Sequence, residues 1–349
     1  MKDRNIVIKN IYHMLSYSYT ILQQDVYKDI ALEKFDNIYG LLASILSKGI
    51  SYQLKQGLYK EYINKEESIP VIRGKILISG TIRNKLARKQ LVDCEFDELS
   101  ENNIFNQILK STSKLLIKEL SNNDKELKDE LRKEMFFFSN IDEVDLRQIR
   151  FDRIIFHKHN QNYRMLIGIC RLIVEGLLLS EEDGDHHLAS FIYEKDMCDL
   201  YERFLREYFS KEFPELSVNA RQISWSLDDD NKEMLPKMQT DITIEKGNNV
   251  LIIDAKYYQS NTQVIYDKHS IVSGNLYQIF TYVKNREYNF GDKEHKVSGM
   301  LLYAKTDEEI QPNAVYHMHG NQIEVKTIDL NMEFKYIKEQ LNKIVQDYF

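Results

Sequence analysis

Cysteine is scarce in this chain of 349 residues: Cys94, Cys170 and Cys198 are the only three, with no short paired spacing. That excludes a disulfide framework and a zinc or iron-sulfur knuckle, and leaves reduced, structural thiols. Long apolar runs are missing too. Runs such as Leu177–Leu179 and Met135–Phe138 fall far short of the roughly 20 residues a membrane span needs, so no membrane partner is expected. The opening Met1-Lys-Asp-Arg-Asn-Ile6 lacks the apolar core and cleavage site of a signal peptide, and a cytoplasmic location is the expectation. Excess positive charge is likewise absent. A formal net charge of -7 is the wrong sign for holding nucleic acid by bulk attraction to phosphate, so any DNA has to be delivered by a local feature or a partner. Internal repeats and low-complexity tracts are not found.

What is present suffices for two domains with cores of their own, since 43% of the residues are hydrophobic. From Ile6 to about Asn64, Ile11, Met14, Leu15, Leu41, Leu42, Ile45, Leu46, Ile50, Leu54, Leu58 and Tyr62 recur mostly at helical spacing and predict two or three amphipathic helices. Pro70 breaks the pattern, and Val71–Ile78 reads as a strand interrupted by Gly74. Residues 73–89 hold six basic side chains (Arg73, Lys75, Arg83, Lys85, Arg88, Lys89) and no acid. Ser100 is placed near the N-cap of a helix through Ile104, Ile108, Leu109 and Leu115. The sign-alternating stretch Ser121–Glu134 reads as a solvated helix surface, and another amphipathic helix spans about 160–179. The polar Glu181–His187 is the candidate linker, which sets a domain boundary near 190.

Beyond it the pattern changes type. A helical stripe from Met197 to Phe209 ends before Pro214, and strands over 238–244 and 250–257 flank the turn-former run Lys246-Gly-Asn-Asn249, which predicts an antiparallel hairpin. A helix over about 273–284, a strand over 298–303, a short strand pair within 315–325 and a final helix over 334–349 follow. The expected architecture is α/β (α+β): a mixed helix/β N-terminal domain, 1–190, and a second domain, 191–349, with a central mixed sheet flanked by helices.

The chemistry concentrates on Leu251-Ile-Ile-Asp254-Ala-Lys256. Asp254 and Lys256 are two apart on a strand, so they leave one face, and pairing across Gly247 brings Asp241 beside Asp254. Two adjoining carboxylates repel unless a cation neutralises them, and hard oxygen ligands select magnesium or manganese. Such a cation polarises a scissile phosphate, while Lys256 orients water or steadies the transition state. The apolar run before Asp254 marks a buried central strand, where an acid needs a partner or an ion. Gln278 and Tyr282, four apart on the following helix, project from one face. Glu202 borders the stripe of the preceding helix and is a candidate third metal ligand, with Glu194 a weaker one.

Plainer readings stand beside these. An Asp-x-Lys strand also serves as a salt-bridged face, Gln278 and Tyr282 as a surface pair, and Glu202 as a partner for Arg206. The segment around Arg73 and Lys75 fits a partner or DNA contact and equally an ordinary charged β-hairpin. Asp97 and Glu98 read as structural or interface acids, His186-His187 as a solvated loop, and Trp225 as a core residue on a strand over 223–227.

Taken together, Asp241, Asp254 and Lys256 resemble the centre of the PD-(D/E)XK nuclease superfamily, with Thr240 where the motif expects proline, and Gln278-x-x-x-Tyr282 is similar to the helix motif of its RecB-like branch. Asn10–Tyr17, Ile69–Ile76, Cys94–Ser100 with Asn106–Leu109, and Leu200–Phe204 resemble blocks of the McrC family, the nuclease subunits of modification-dependent restriction systems. That resemblance implies a PD-(D/E)XK restriction-endonuclease-like domain at 191–349 that cuts double-stranded DNA carrying modified cytosine. It also implies a domain at 1–190 that docks on McrB, a hexameric AAA+ GTPase, and stimulates its hydrolysis of GTP. The sequence contains no G-x-x-x-x-G-K-[ST] phosphate loop, so GTP is expected to be used by the partner and not bound by this chain. Alternatives are a RecB-like exonuclease or repair nuclease with another motor, and a non-cleaving adaptor that activates an AAA+ NTPase.

Overall fold

The computed structural model describes residues 4–35, 37–182, 194–229, 231–258, 261–265 and 268–349. His186-His187 and most of the candidate linker lie outside them, as does the side chain of Glu194. Contacts divide the chain into two compact units, Tyr39–Glu182 and a discontinuous one made of Met1–Ile38 with Asp183–Phe349. The single cut near 190 differs from this division at the N-terminus, because the first 38 residues, with α1 (Arg4–Ser18) and the one-turn α2 (Asp25–Lys28), group with the C-terminal unit.

In the Tyr39–Glu182 unit, α3 (Ile38–Gln56) buries Leu41, Leu42, Ile45, Leu46 and Ile50 on its apolar face. Three strands, β1 (Glu61–Ile69), β2 (Lys75–Ile76) and β3 (Val92–Ser100), form an antiparallel sheet of order β1-β3-β2, with α4 (Ile78–Leu86) between β2 and β3 in sequence. The helical reading up to Asn64 therefore runs too far. Gly57, at φ +90, follows the end of α3, and Tyr62, whose spacing continues the helical series, is an exposed residue of β1. The strand expected over 71–78 shrinks to two residues. Gly74, at φ +67, brings the chain so close to β3 that a Cβ there would lie 2.4 Å from the Glu95 carbonyl oxygen.

α5 (Ile104–Glu119) is capped by Asn103, not Ser100: the Asn103 side chain accepts from the Asn106 amide. Asn106 is wholly buried and uses its amide on the Tyr59 and Glu101 carbonyls while accepting from the Tyr163 hydroxyl. α6 (Lys125–Met135) is less solvated than its charge pattern suggested, because Glu134 points inward and accepts from Ser47 and Ser51. α7 (Tyr163–Glu182) packs on α5.

The discontinuous unit continues with α8 (Glu194–Glu212), β4 (Ser217–Asn219), the short pair β5 (Gln222–Ile223) and β6 (Met238–Gln239), then β7 (Ile242–Lys246) and β8 (Asn249–Lys256). A hairpin of β9 (Thr262–Ile265) and β10 (Lys268–Ile271) leads to α9 (Ser273–Tyr288), followed by β11 (Lys296–Ala304), β12 (Ala314–Met318), β13 (Asn321–Ile328) and α10 (Phe334–Tyr348). Six strands make one mixed sheet of order β12-β13-β11-β8-β7-β4, in which β8, β11 and β13 run parallel and the other pairings are antiparallel. The expected hairpin joins β7 and β8 through Gly247 at φ +61, and Leu251, Ile252 and Ile253 are fully buried in its second strand.

α1 belongs here for stated reasons. It packs on α8, where the Tyr17 ring meets Phe204 and Tyr208 and its hydroxyl donates to Glu212. Asn10 donates to the Leu330 and Met332 carbonyls, and His13 stacks on Phe334 of α10. Trp225 lies past the end of β5, not on a strand of the main sheet. It packs partly buried against the core between the sheet and α9 and donates to the Pro236 carbonyl.

Candidate active site

β8 ends in the residues that carry the chemistry. Its first half is apolar on both faces, which buries the strand, and Asp254 is only 1% exposed. Ile242 pairs with Ile253, so Asp241, one residue earlier, falls beside Asp254 at the neighbouring strand end. Asp241 is fixed there by its Oδ2, which accepts from the Ala255 amide at 2.8 Å. Lys256 returns over the same face and puts its Nζ 2.6 Å from Asp254 Oδ2. The ion pair with Lys256 and the adjoining Asp241 carboxyl are what compensate the two buried Asp254 oxygens.

Burial raises the pKa of both aspartates, and for Asp241 the charge of Asp254 adds to it, while Lys256 opposes the rise. Burial works against the charge on Lys256, yet Asp254 prevails and raises its pKa. Lys256 therefore stays an ammonium. Its remaining direction is taken by Gln278, whose Oε1 accepts from Nζ at 3.3 Å and whose Nε2 donates to the Tyr282 hydroxyl at 2.9 Å. The helix spacing of four thus becomes a relay from Tyr282 through Gln278 to the lysine.

Glu202 is placed with this group, although it faces Arg206. Arg206 donates to Glu202 Oε1 at 2.8 Å and to the Asp241 carbonyl at 3.3 Å. Burial and then the charge of Asp241 raise the pKa of Glu202, with Arg206 opposing. Among the described residues no three His, Cys, Asp or Glu side chains form a ready metal cage. The donor set still fits a hard divalent cation: two adjoining carboxylates, one with both oxygens buried, and a third carboxylate held by an arginine.

Sequence reasoning gave Arg206 only as a bland partner for Glu202 and missed its bond to the Asp241 backbone. Thr240, standing where the motif expects proline, is buried and pins the chain entering Asp241: its hydroxyl donates to the Arg221 carbonyl, accepts from the Arg221 amide and bonds Thr243. Arg73 and Lys75 belong to the Tyr39–Glu182 unit. The Arg73 guanidinium lies over the Phe96 ring at 4.2 Å, and Lys75 is exposed 2.9 Å from Glu95. Glu98 is ion-paired with Lys65 at 3.0 Å on the sheet surface.

A mixed-sheet α/β fold with a paired-acid and lysine centre at its central strand end defines the class of protein. Residues 2–304 match the family described as McrBC 5-methylcytosine restriction system component, and the chain belongs to that family. It is 29% identical over 352 residues to the type IV methyl-directed restriction enzyme EcoKMcrBC of Escherichia coli (strain K12), covering 100% of this chain and 99% of the relative. Its fold is similar to a refined half-complex from a tetradecameric assembly of Thermococcus gammatolerans McrB AAA+ hexamers with bound McrC, with a TM-score of 0.53 and 19% identity over 97% of this chain and 76% of the other. The chain is thus a component of a restriction system. Among the described residues no helix is long and apolar enough to cross a membrane.

Proposed function

We propose that this chain is the metal-dependent endodeoxyribonuclease subunit of a GTP-driven restriction complex acting on DNA with modified cytosine. The observation that carries the reading is the meeting of Asp241, Asp254 and Lys256 at one strand end, with both Asp254 oxygens buried. Magnesium or manganese, held by Asp241 and Asp254 with Glu202 as a third donor, would neutralise the acids, polarise the scissile phosphate and ease deprotonation of water. Lys256, held by Gln278, orients the attacking water or meets the charge that develops on the phosphate.

The Tyr39–Glu182 unit is the candidate dock for an AAA+ GTPase. α4 supports this with Ile78, Ile82 and Leu86, one helical stripe, exposed by 72%, 54% and 81% beside Arg83, Lys85 and Arg88. A charged hairpin alone has no use for that stripe. Arg73 and Lys75 lie in the same basic segment and are candidate contacts for the partner or for DNA. In this reading GTP is hydrolysed by the partner, and a location in the cytoplasm follows from the role. The test is cleavage of methylated plasmid by the chain with its McrB-type partner, magnesium and GTP. Asp254→Ala is expected to abolish cutting and to leave stimulated GTP hydrolysis in place; equal cutting by Asp254→Ala removes the nuclease assignment, and stimulation without any cutting by the unaltered chain favours an adaptor.

A further inference from the structure

The Tyr39–Glu182 unit carries a second basic segment, distinct from the one at 73–89. Between α6 and α7, residues 146–164 hold Arg147, Arg150, Arg153, Lys158 and Arg164 with Asp152 as their one acid, in a chain whose formal net charge is -7. All five cations are exposed. Arg150, Arg153, Lys158 and Arg164 have no carboxylate within ion-pair distance among the described residues, so even Asp152 pairs with none of them. The acids just before the segment are engaged elsewhere: Asp142 accepts from Asn102, Glu143 is bound by Lys114, and Asp145 caps the turn that follows it. The positive charge therefore faces water without a local counterweight.

The local fold holds it there. Three short 3-10 turns, Leu146–Gln148, Phe151–Arg153 and Lys158–Asn160, take the place of a helix and alternate what they bury with what they present. Ile149, Phe151, Ile154 and Phe156 are half-buried, Phe156 against the Phe105 ring of α5, while the cations between them stand out. Arg150 and Arg153 flank one turn, closed by the Arg153 amide on the Arg150 carbonyl. Buried Asn160 fixes the last turn by accepting from the His157 amide, with Lys158 left exposed.

The contrast with 73–89 identifies the partner. There Lys75 pairs with Glu95, Arg73 approaches Glu98 and lies over Phe96, and the apolar stripe of α4 stands exposed, which suits a protein surface. At 146–164 the four cations are unpaired, and Ile155 is the one large apolar side chain exposed. Guanidinium and ammonium groups with neither acids nor apolar surface around them match the oxygens of a phosphate backbone.

We propose that this segment binds the phosphate backbone of double-stranded DNA, holding the duplex without reading its sequence. The inference rests on the reading that the complex works on DNA, and it gives the Tyr39–Glu182 unit a task beside docking. Each cation that meets a phosphate releases condensed counterions, so the contact is sensitive to salt and indifferent to methylation.

The experiment measures binding of methylated and unmethylated duplexes across a salt series by the chain assembled with its McrB-type partner and a non-hydrolysable GTP analogue. The variants are Arg150→Gln with Arg153→Gln, Lys158→Gln with Arg164→Gln, and Arg150→Lys with Arg153→Lys. Either Gln pair is expected to weaken both duplexes about tenfold at low salt and to make log affinity against log salt shallower by about 1 for each cation lost. The Lys pair keeps its charge and is expected to retain most of both. Melting temperature, assembly with the partner and DNA-free GTP hydrolysis should hold, because the altered side chains are exposed and unpaired. The second Gln pair lies on a different stretch and carries the test if the first proves unstable. Unchanged affinity and slope in both Gln pairs overturn the proposal. Loss of assembly or of GTPase stimulation with DNA binding intact also overturns it and gives the segment to the partner protein. Cleavage by Asp254→Ala, with the Gln pairs still flattening the salt dependence, removes the nuclease assignment and leaves the DNA contact standing.

Discussion

The Lys256 ammonium lies 2.6 Å from the Asp254 carboxylate, and both leave the same face of one strand. Asp254 is buried at 1% exposure, so the lysine is its principal compensation while no cation is bound. Lys256→Ala is expected to destabilise the cation-free protein by about 3–5 kcal/mol, as removal of one partner from a buried pair does, and to abolish cleavage. Thermal unfolding without divalent ions checks the first part; an unchanged melting temperature would show that the carboxylate is already protonated or otherwise held.

The two aspartates make stability depend on pH. Their folded pKa values lie above the ordinary carboxylate range, so the folded state binds more protons than the unfolded one, and cation-free stability falls as pH rises from that range to about 7, where Asp241 ionises in the folded protein too. Asp241→Asn is expected to remove much of this slope and to stabilise the cation-free protein at pH 7.5 by on the order of 1–3 kcal/mol. Magnesium or manganese should raise the melting temperature of the unaltered chain and do so much less for Asp241→Asn. An equal rise in both would take the cation away from this site.

Gln278→Ala leaves Lys256 paired with Asp254 and frees its far side. Cleavage is expected to slow about tenfold with DNA affinity little altered, because orientation and not charge is lost. Tyr282→Phe, which leaves Gln278 in place but deprives its amide of an acceptor, should have a smaller effect in the same direction. Single-turnover rates separate the two.

Gly74 has no room for a side chain and sits at φ +67. Gly74→Ala is expected to disturb the β2–β3 contact at a cost of about 1–3 kcal/mol and to reduce stimulation of the partner's GTP hydrolysis. The metal-induced rise in melting temperature of the other unit should survive. Loss of that rise would contradict the division of labour between the units.

Much of the C-terminal unit was legible because its signals are short-range. An unbroken apolar run ending in Asp-Ala-Lys marks a buried strand end, and turn-formers at 246–249 set the register that brings Asp241 to Asp254. Gln278 and Tyr282 followed from helix spacing alone. The other unit was read less well for a physical reason: α4 exposes its apolar stripe, so Ile76 and Ile78 look like strand alternation and the basic residues like a hairpin surface. The membership of α1 in the C-terminal unit rests on contacts such as Tyr17 with Glu212, which no local pattern announces.

The central claim is that Asp254 takes part in cutting DNA. Its most direct measurement is cleavage of methylated and unmethylated plasmid by the chain and by Asp254→Ala, each with magnesium, GTP and a McrB-type partner, followed alongside GTP hydrolysis. The expected result is double-strand cutting of methylated plasmid by the unaltered chain alone, with GTP hydrolysis stimulated equally by both proteins. Cutting by Asp254→Ala at the same rate would contradict the assignment.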